Sequence, residues 1–224
     1  MLAFLRASME RSRGRWLTCL PDTHNGPDAL SCLRGREAAC TDLYDHPQEV
    51  AAAMRDICAA SQEIYAEYFA ILQPEIYSSS GWLPAWWPGR ANVIQSDFMA
   101  LISPAMFQHF FHEWLLEEVG TFERVIYHLD GPPSLPHLDY LLNLPQIAAI
   151  QWVPGDGALP ISRWLALLRR IQAAGKGLHL SVAPWEVEPL LSELSSRGLM
   201  LQMWVDSEEE AQTLLALAAC LTRG

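Results

Sequence analysis

The sequence predicts an α/β fold, with a parallel sheet of about six strands curled as an incomplete TIM barrel of the (β/α)8 type. Two observations lead to this prediction. From about residue 90 onwards, short apolar runs alternate with amphipathic segments, which is the strand–helix alternation of a parallel sheet. No shift in composition marks a boundary, so residues 1–224 are expected to form a single domain, shorter than the roughly 250 residues of a typical closed barrel.

Strands are predicted where an apolar run ends at turn residues. The run RVIYHLD is followed by Gly-Pro-Pro, and the run AAIQWV is followed by Pro-Gly. The predicted strands cover residues 15–20, 92–97, 124–130, 148–153, 178–183 and 199–205. Because helical patterns with short links separate the later strands, these strands are expected to run parallel.

Helices are predicted from their caps and from apolar residues at three- and four-residue steps. Ser103 with Pro104 begins a helix that ends near Gly120, and Ser207 with Glu210 begins the last helix. The other helices are predicted at residues 47 to about 73, 137–144, 161–174 and 185–197.

Charge and composition exclude several classes of protein. Fifteen Lys and Arg against 26 Asp and Glu give a formal net charge of −11, which disfavours binding to nucleic acids or to anionic membranes. The sequence has no apolar run long enough to span a bilayer and no signal-peptide pattern, so a cytoplasmic protein is expected. The five cysteines lack C-x-x-C spacing, which favours reduced, mostly buried thiols.

A loop rich in tryptophan, proline and glycine is predicted at residues 78–90. It carries three of the nine tryptophans, Trp82, Trp86 and Trp87. Loops of this length in compact domains are usually functional or mobile. These rings either cover a binding pocket or pack over the open barrel edge, and the sequence does not separate the two.

Candidate site residues stand at the carboxyl ends of the predicted strands, where ligands bind in parallel α/β proteins. They are Asp97, His128, Asp130, Gln151, Trp152, Trp204 and Asp206. His128 and Asp130 are two residues apart, so both project from one face of a strand and can bind a metal ion or act as an acid–base pair. The alternative is that Asp130 forms the turn before Gly131 and that His128 is hydrogen-bonded to the backbone.

Strand alternation predicts the arrangement of this site. The apolar residues on either side of His128 should face the helical layer, which turns His128 and Asp130 into the barrel. Asp97 and Gln151 are then expected close enough to share a ligand or a water with the pair.

Other polar and sulfur-containing residues are weaker candidates. His137 belongs to a second His-Leu-Asp triplet and is a candidate for substrate binding, although capping of the short helix is favoured. His109 and His112 lie on a predicted helix at the core edge or surface, and Met200 and Met203 lie on a strand in the core.

The stretch 127–157, YHLDGPPSLPHLDYLLNLPQIAAIQWVPGDG, resembles the uroporphyrinogen decarboxylase superfamily. Within it, the stretch is similar to the branch related to cobalamin- and corrinoid-dependent methyltransferases. The flanks QSDFMALISPAMFQHFF and WLALLRRIQAAGKGLHL agree with this resemblance, which extends from about residue 22 to residue 220. The resemblance implies a (β/α)8 barrel whose strand ends bind a tetrapyrrole or exchange methyl groups with a corrinoid or a thiol.

The function implied by the resemblance is that of a methyltransferase-type enzyme, with His128, Asp130 and Asp97 as catalytic residues. Gln151 and the aromatic residues Trp152 and Trp204 would line the substrate pocket. Zinc bound by His128 and Asp130, and a corrinoid protein as partner, are implied in the same way. Two alternatives stay open, namely a decarboxylating lyase of porphyrin biosynthesis and a non-catalytic ligand-binding remnant.

The chain also departs from the family pattern. The N-terminal R-Q-A-G-R and G-F-x-G-x-P stretches of the decarboxylases are absent, so the first barrel strands are expected to be missing. Asp130 stands where the zinc methyltransferases carry their first cysteine, and the last strand has no cysteine. A barrel without its first strands has open edges, which the N-terminal segment or a second subunit of a homo-oligomer is expected to cover.

Overall fold

The computed structural model describes residues 1–72, 78–79, 82–87 and 89–222, referred to below as the described residues. Its fold is α/β, with a parallel sheet of five strands flanked by helices, which confirms the predicted class. The strands, in sheet order, are Ala91–Gln95 (β3), Arg124–Asp130 (β4), Ile147–Val153 (β5), Gly177–Ser181 (β6) and Leu199–Gln202 (β7). Closure of the sheet as a barrel stays a prediction.

The chain divides into two compact units, Met1–Val125 (unit 1) and Ile126–Gly224 (unit 2). The helices described in unit 1 are Leu2–Ser12 (α1), Gly26–Arg34 (α2), Arg36–Asp45 (α3), Pro47–Leu72 (α4) and Pro104–Gly120 (α5). Those described in unit 2 are Leu138–Leu142 (α6), Leu165–Ala173 (α7), Val187–Glu193 (α8) and Glu208–Leu221 (α9). Short 3₁₀ helices cover Asp97–Leu101, Pro132–His137, Ile161–Trp164 and Pro184–Glu186.

The two long helices predicted in unit 1 are confirmed. α4 and α5 begin at the predicted prolines, and the Ser103 hydroxyl accepts the N–H of Met106 at 3.2 Å as an N-cap. In unit 2, α8 is shorter than predicted, since it ends at Glu193 and Leu194 is already extended. The last strand is also shorter than predicted and ends at Gln202.

The strand predicted at residues 15–20 is wrong. After α1 the backbone turns at Arg13, which is left-handed with φ 42°, and residues 17–25 belong to no helix or strand. Trp16 and Leu17 are exposed while Leu20 is buried, so the apolar run that suggested a strand is only partly covered and lacks the alternating burial of a strand.

An aromatic cluster forms part of the core of unit 1. The ring centroids of Tyr65 and Phe122 are 5.1 Å apart, and those of Phe69 and Phe122 are 6.0 Å apart. Gly26 begins α2 with φ +62°, and a Cβ atom there would lie 2.1 Å from the Trp114 ring. α2 therefore packs against α5 at a distance that only glycine permits.

The tryptophan-rich segment contains an antiparallel strand pair, Ser78–Ser79 (β1) and Trp86–Trp87 (β2). Trp86 is exposed, and the guanidinium of Arg124 lies 4.6 Å from the centre of the Trp87 ring. Residues 80, 81 and 88 of the predicted loop lie outside the described residues. Whether the three tryptophans cover a pocket or a barrel edge stays open.

All five cysteines are free thiols, but the prediction that most are buried is wrong. Cys32 and Cys220 are exposed, and the other three are half-buried. Both exposed thiols lie on helices, Cys32 in α2 and Cys220 in α9. Among the described residues, no helix combines the length and the apolar character needed to cross a membrane.

Candidate functional site

The strands of unit 2 present one apolar face and one polar face. Tyr127, Trp152 and Leu180 belong to the apolar face and are completely buried, as are the neighbouring leucine and isoleucine residues of that face. Trp152 packs edge-on against Trp164 at 5.1 Å between ring centroids, so this face contacts the helical layer. Tyr127 and Leu129, which flank His128, were predicted to face the helical layer, and their complete burial agrees with this prediction.

The polar face carries His128, Gln151 and His179 on three successive strands, a group called the polar row below. Gln151 of β5 is the direct partner of His179 on β6, and such partners project to the same face of a parallel sheet. His128 Nδ1 lies 2.6 Å from Gln151 Oε1. Strand alternation and sheet register thus bring together His128, predicted as catalytic, Gln151, predicted as substrate-binding, and His179, which was not predicted.

The contact with Gln151 fixes the tautomer of the His128 ring. An amide oxygen only accepts hydrogen bonds, so Nδ1 must donate. A neutral His128 ring then carries its lone pair on Nε2, where it can accept a proton or bind a cation. A general base needs one ring nitrogen oriented by a neighbour, and the Gln151 amide provides this for His128.

His179 is buried within the polar row, with 1% of its surface exposed. Burial lowers the pKa of His179, and the nearby His128 lowers it further, while the Gln202 amide opposes the shift. Neither ring nitrogen reaches hydrogen-bond geometry with another described residue. His179 is therefore a neutral imidazole at pH 7, and it adds no second positive charge beside His128.

The backbone of Asp130 forms a turn, and its side chain is exposed. Its backbone carbonyl accepts the Ser134 hydroxyl at 2.6 Å, and Gly131 follows with φ +72°, which is a turn. Strand alternation places the Asp130 side chain on the same face as His128, where it is exposed. The carboxylate is thus accessible to a ligand although the backbone forms a turn.

Several predicted site residues do not join the polar row. Trp152 cannot line a surface with Gln151, because adjacent strand residues point to opposite faces and Trp152 is completely buried. Trp204 follows the end of β7 and is 89% exposed, so it forms no pocket wall among the described residues. His137 is buried at the end of a 3₁₀ helix. Asp206 donates its N–H to Glu210 Oε2 at 3.0 Å at the start of α9.

Asp97 lies in unit 1, immediately after β3, and is exposed. Its N–H donates to Asp28 Oδ2 at 3.0 Å, and the N–H of Phe98 donates to Asp28 Oδ1 at 2.8 Å. Asp28 therefore fixes the backbone that carries Asp97. The predicted proximity of Asp97 to His128 and Gln151 stays a prediction.

The predictions missed His179. A signal for it is nevertheless present, because the triplets Tyr-His-Leu, Ile-Gln-Trp and Leu-His-Leu each place one polar residue between two apolar residues. These triplets occupy residues 127–129, 150–152 and 178–180, one on each strand. A polar residue at the same position of three neighbouring strands predicts a row across the sheet.

The residues of unit 2 fit a zinc ion only in part. His128 and Asp130 offer one nitrogen and one carboxylate donor, which suit a divalent cation. Cys220 is the one cysteine of this unit, and it lies exposed in α9. A thiolate-bound zinc of the kind that the family resemblance implies is therefore not supported by this part of the chain.

Comparisons with known proteins found no similar protein. No protein-family model matches the chain, and neither a curated protein nor a solved structure matches it at a significant level. The resemblance to the uroporphyrinogen decarboxylase superfamily thus depends on the sequence motifs alone.

Proposed function

We propose that the protein is a methyltransferase-type enzyme, similar to the corrinoid-related branch of the uroporphyrinogen decarboxylase superfamily, that binds a small molecule over the polar row. The observation that carries this proposal is the 2.6 Å contact between His128 Nδ1 and Gln151 Oε1. It directs the basic nitrogen of a half-buried histidine away from its neighbour at the carboxyl half of a parallel strand, where ligands of such sheets bind.

His128 acts as the general base in this proposal. Nε2 takes the proton from the S–H or N–H group of the methyl acceptor as that atom attacks the methyl group. The bond between acceptor and methyl carbon forms, the bond between donor and methyl carbon breaks, and its electron pair leaves with the donor. A corrinoid, where bound, would supply the methyl group.

The neighbours of His128 support that proton transfer. The Gln151 oxygen continues to accept the Nδ1–H when the ring becomes positively charged, and charge strengthens such a hydrogen bond. Asp130 offers an exposed carboxylate on the same strand face. Neutral His179 lets the ring gain a proton without a like charge beside it.

A lyase acting on a tetrapyrrole with several carboxylates is less well supported. Such a substrate calls for cationic side chains, and β5, β6 and β7 contain no Arg or Lys. A ligand-binding domain without catalysis is the second candidate, because exposed Asp130 also serves as a turn residue.

The test uses methylcobalamin as methyl donor and 2-mercaptoethanol as acceptor, with loss of the cobalt–carbon absorption as readout. We expect turnover by the wild-type protein and a reduction of about 100-fold or more in His128→Ala, as for removal of a general base. His46→Ala is the control, since His46 is exposed in unit 1 and lies beside Glu49. Binding without turnover in the wild type would establish the ligand-binding candidate, and equal turnover in His128→Ala would refute the assigned base.

A further inference from the structure

A second cluster of possible ligands lies within unit 1, where the segment before α2 meets the end of β3. The side chains of His24, Asp28 and Asp97 each offer one donor atom, and the three atoms all lie within 4.8 Å of one another. We infer that these three residues bind one divalent transition-metal ion through nitrogen and oxygen. This inference is independent of the proposed methyl transfer.

The sequence of residues 22–28 explains how His24 comes to face this cluster. Thr23 and Asn25, on either side of it, both turn towards Tyr65, with their side chains 3.3 and 2.7 Å from its hydroxyl oxygen. Between them the backbone turns at His24, because the Asn25 N–H donates to the Thr23 carbonyl oxygen at 3.0 Å. The His24 ring lies beside Asp22 and Asp28. Gly26, packed against Trp114, fixes the position of the helix that carries Asp28.

Asp28 is buried, and two backbone hydrogen bonds hold its carboxylate in place. It is 4% exposed, and its two oxygens accept the N–H groups of Phe98 and Asp97 at 2.8 and 3.0 Å. Each oxygen retains a second lone pair, since a carboxylate offers about four acceptor positions. The same two hydrogen bonds hold Asp97 beside Asp28, so the pair of carboxylates is preorganised.

The distance between His24 and Asp28 is too long for a hydrogen bond and lies just above the separation of two ligands of one ion. His24 Nδ1 lies 3.8 Å from Asp28 Oδ2. Hydrogen bonds between such groups are about 2.7–2.9 Å long. Two ligands bound to one ion at about 2.1 Å stand roughly 3.0–3.6 Å apart for angles of 90–120°.

The charges around the cluster favour a cation. Asp22, Asp28 and Asp97 surround a single imidazole, and among the described residues no Arg or Lys forms an ion pair with them. A bound divalent ion would balance the negative charge of these carboxylates.

The donor set indicates the class of ion. One imidazole and two carboxylates suit Zn²⁺ or Mn²⁺, whereas soft thiolates would favour Cu(I). The Gln95 amide nitrogen lies 3.0 Å from His24 Nδ1 and 3.1 Å from Nε2. An amide nitrogen donates to the ring lone pair, so an ion bound by His24 would replace this contact. Half of the His24 side chain is exposed, so an ion can enter from solvent.

The experiment is a titration of the chelator-treated full chain with Zn²⁺ alone, followed by calorimetry, with Mn²⁺ repeated by electron paramagnetic resonance. We expect one ion per chain, an affinity at least tenfold weaker in Asp97→Asn, and loss of that ion in His24→Ala. His46→Ala is the matched control, an exposed histidine beside a carboxylate that should bind as wild type does.

Two further measurements separate this inference from the proposed methyl transfer. His128→Ala and Asp130→Asn should leave the unit 1 ion bound, so failure of the proposed methyl transfer does not affect this result. If His24→Ala binds Zn²⁺ as the wild type does, or if the wild type binds neither ion, the inference is overturned. An NMR experiment in which the His24 ring signals do not respond to added Zn²⁺ would overturn it equally.

Discussion

At the scale of single residues, the Gln151 amide determines which nitrogen of the His128 ring carries the proton. Gln151→Leu removes the acceptor, and we expect the neutral ring to shift towards the Nε2–H tautomer, the more stable form of an isolated imidazole in water. Long-range ¹H–¹⁵N NMR spectra of the histidine rings measure this directly. Gln172→Leu removes a glutamine amide that bonds Ser195 on the surface and should leave the His128 signals unchanged.

Glu118 provides a second prediction at this scale, because it is a buried acid held by hydrogen bonds alone. It accepts the Tyr65 hydroxyl at 2.5 Å and the Asn25 amide at 3.2 Å. Burial raises the pKa of Glu118 above its ordinary value of 4.5, although these hydrogen bonds oppose the shift. A carboxyl group with a raised pKa in the folded state favours folding when protonated, and this contribution is lost as the pH rises above about 4.5.

The wild type should therefore lose free energy of unfolding relative to Glu118→Gln as the pH rises from 4.5. Urea denaturation at a series of pH values measures the difference. Glu113→Gln, at an exposed glutamate of the same helix that is not among the groups shifting the pKa of Glu118, provides the control. A constant difference between wild type and Glu118→Gln would show that Glu118 has the same pKa folded and unfolded.

At the scale of elements, the contact between α2 and α5 depends on the absence of a side chain at Gly26. Gly26→Ala combines a left-handed backbone with a Cβ atom 2.1 Å from Trp114, and we expect it to lower the free energy of unfolding by about 3 kcal/mol or more. Gly14 is also left-handed, at φ +78°, but a Cβ atom there would meet no other atom within 4 Å. Gly14→Ala should therefore cost only about 1 kcal/mol, and equal costs would contradict the packing explanation.

The strands and long helices could be predicted from the sequence because their signals are local. β4 occupies the predicted residues 124–130, and α5 ends at the predicted Gly120. The errors fall where tertiary contacts decide the structure. Residues 15–20 are apolar enough for a strand but have no strand to pair with, and β7 ends before Trp204 although the apolar pattern continues.

The candidate site, too, could be predicted where the signal is local and not where tertiary contacts decide. Period-two alternation places His128 and Asp130 on one face, and it excludes Trp152 from that face. The register between β5 and β6, which pairs Gln151 with His179, depends on loops and packing that one strand does not encode. The role of residues 22–28 depends on contacts with residues 40 or more positions away, so no local pattern could reveal it.

At the scale of the whole molecule, the prediction concerns association. Within the described residues β7 pairs only with β6, and α9 has no buried residue while Leu215 is 64% exposed. We expect a second copy of the chain to cover this end of unit 2, because exposed strand edges and apolar helix faces are normally covered. Light scattering over a range of concentrations should show a dimer that Leu215→Glu weakens.

A matched control for association is Leu159→Glu, which alters a leucine of similar exposure, 60%, in a loop of unit 2. It should leave the association unchanged. A monodisperse monomer at every concentration would show that β7 and α9 are not covered by a second copy.

The alternating contacts of residues 22–25 also bear on how this gene can vary in length. Thr23 and Asn25 contact the Tyr65 hydroxyl, while His24, at the turn between them, contacts the carboxylates. The length of this segment therefore determines which side chain reaches each contact. Insertion or deletion of one codon here would displace both sets of contacts at once, so length changes should be tolerated less well than substitutions at exposed Asp22.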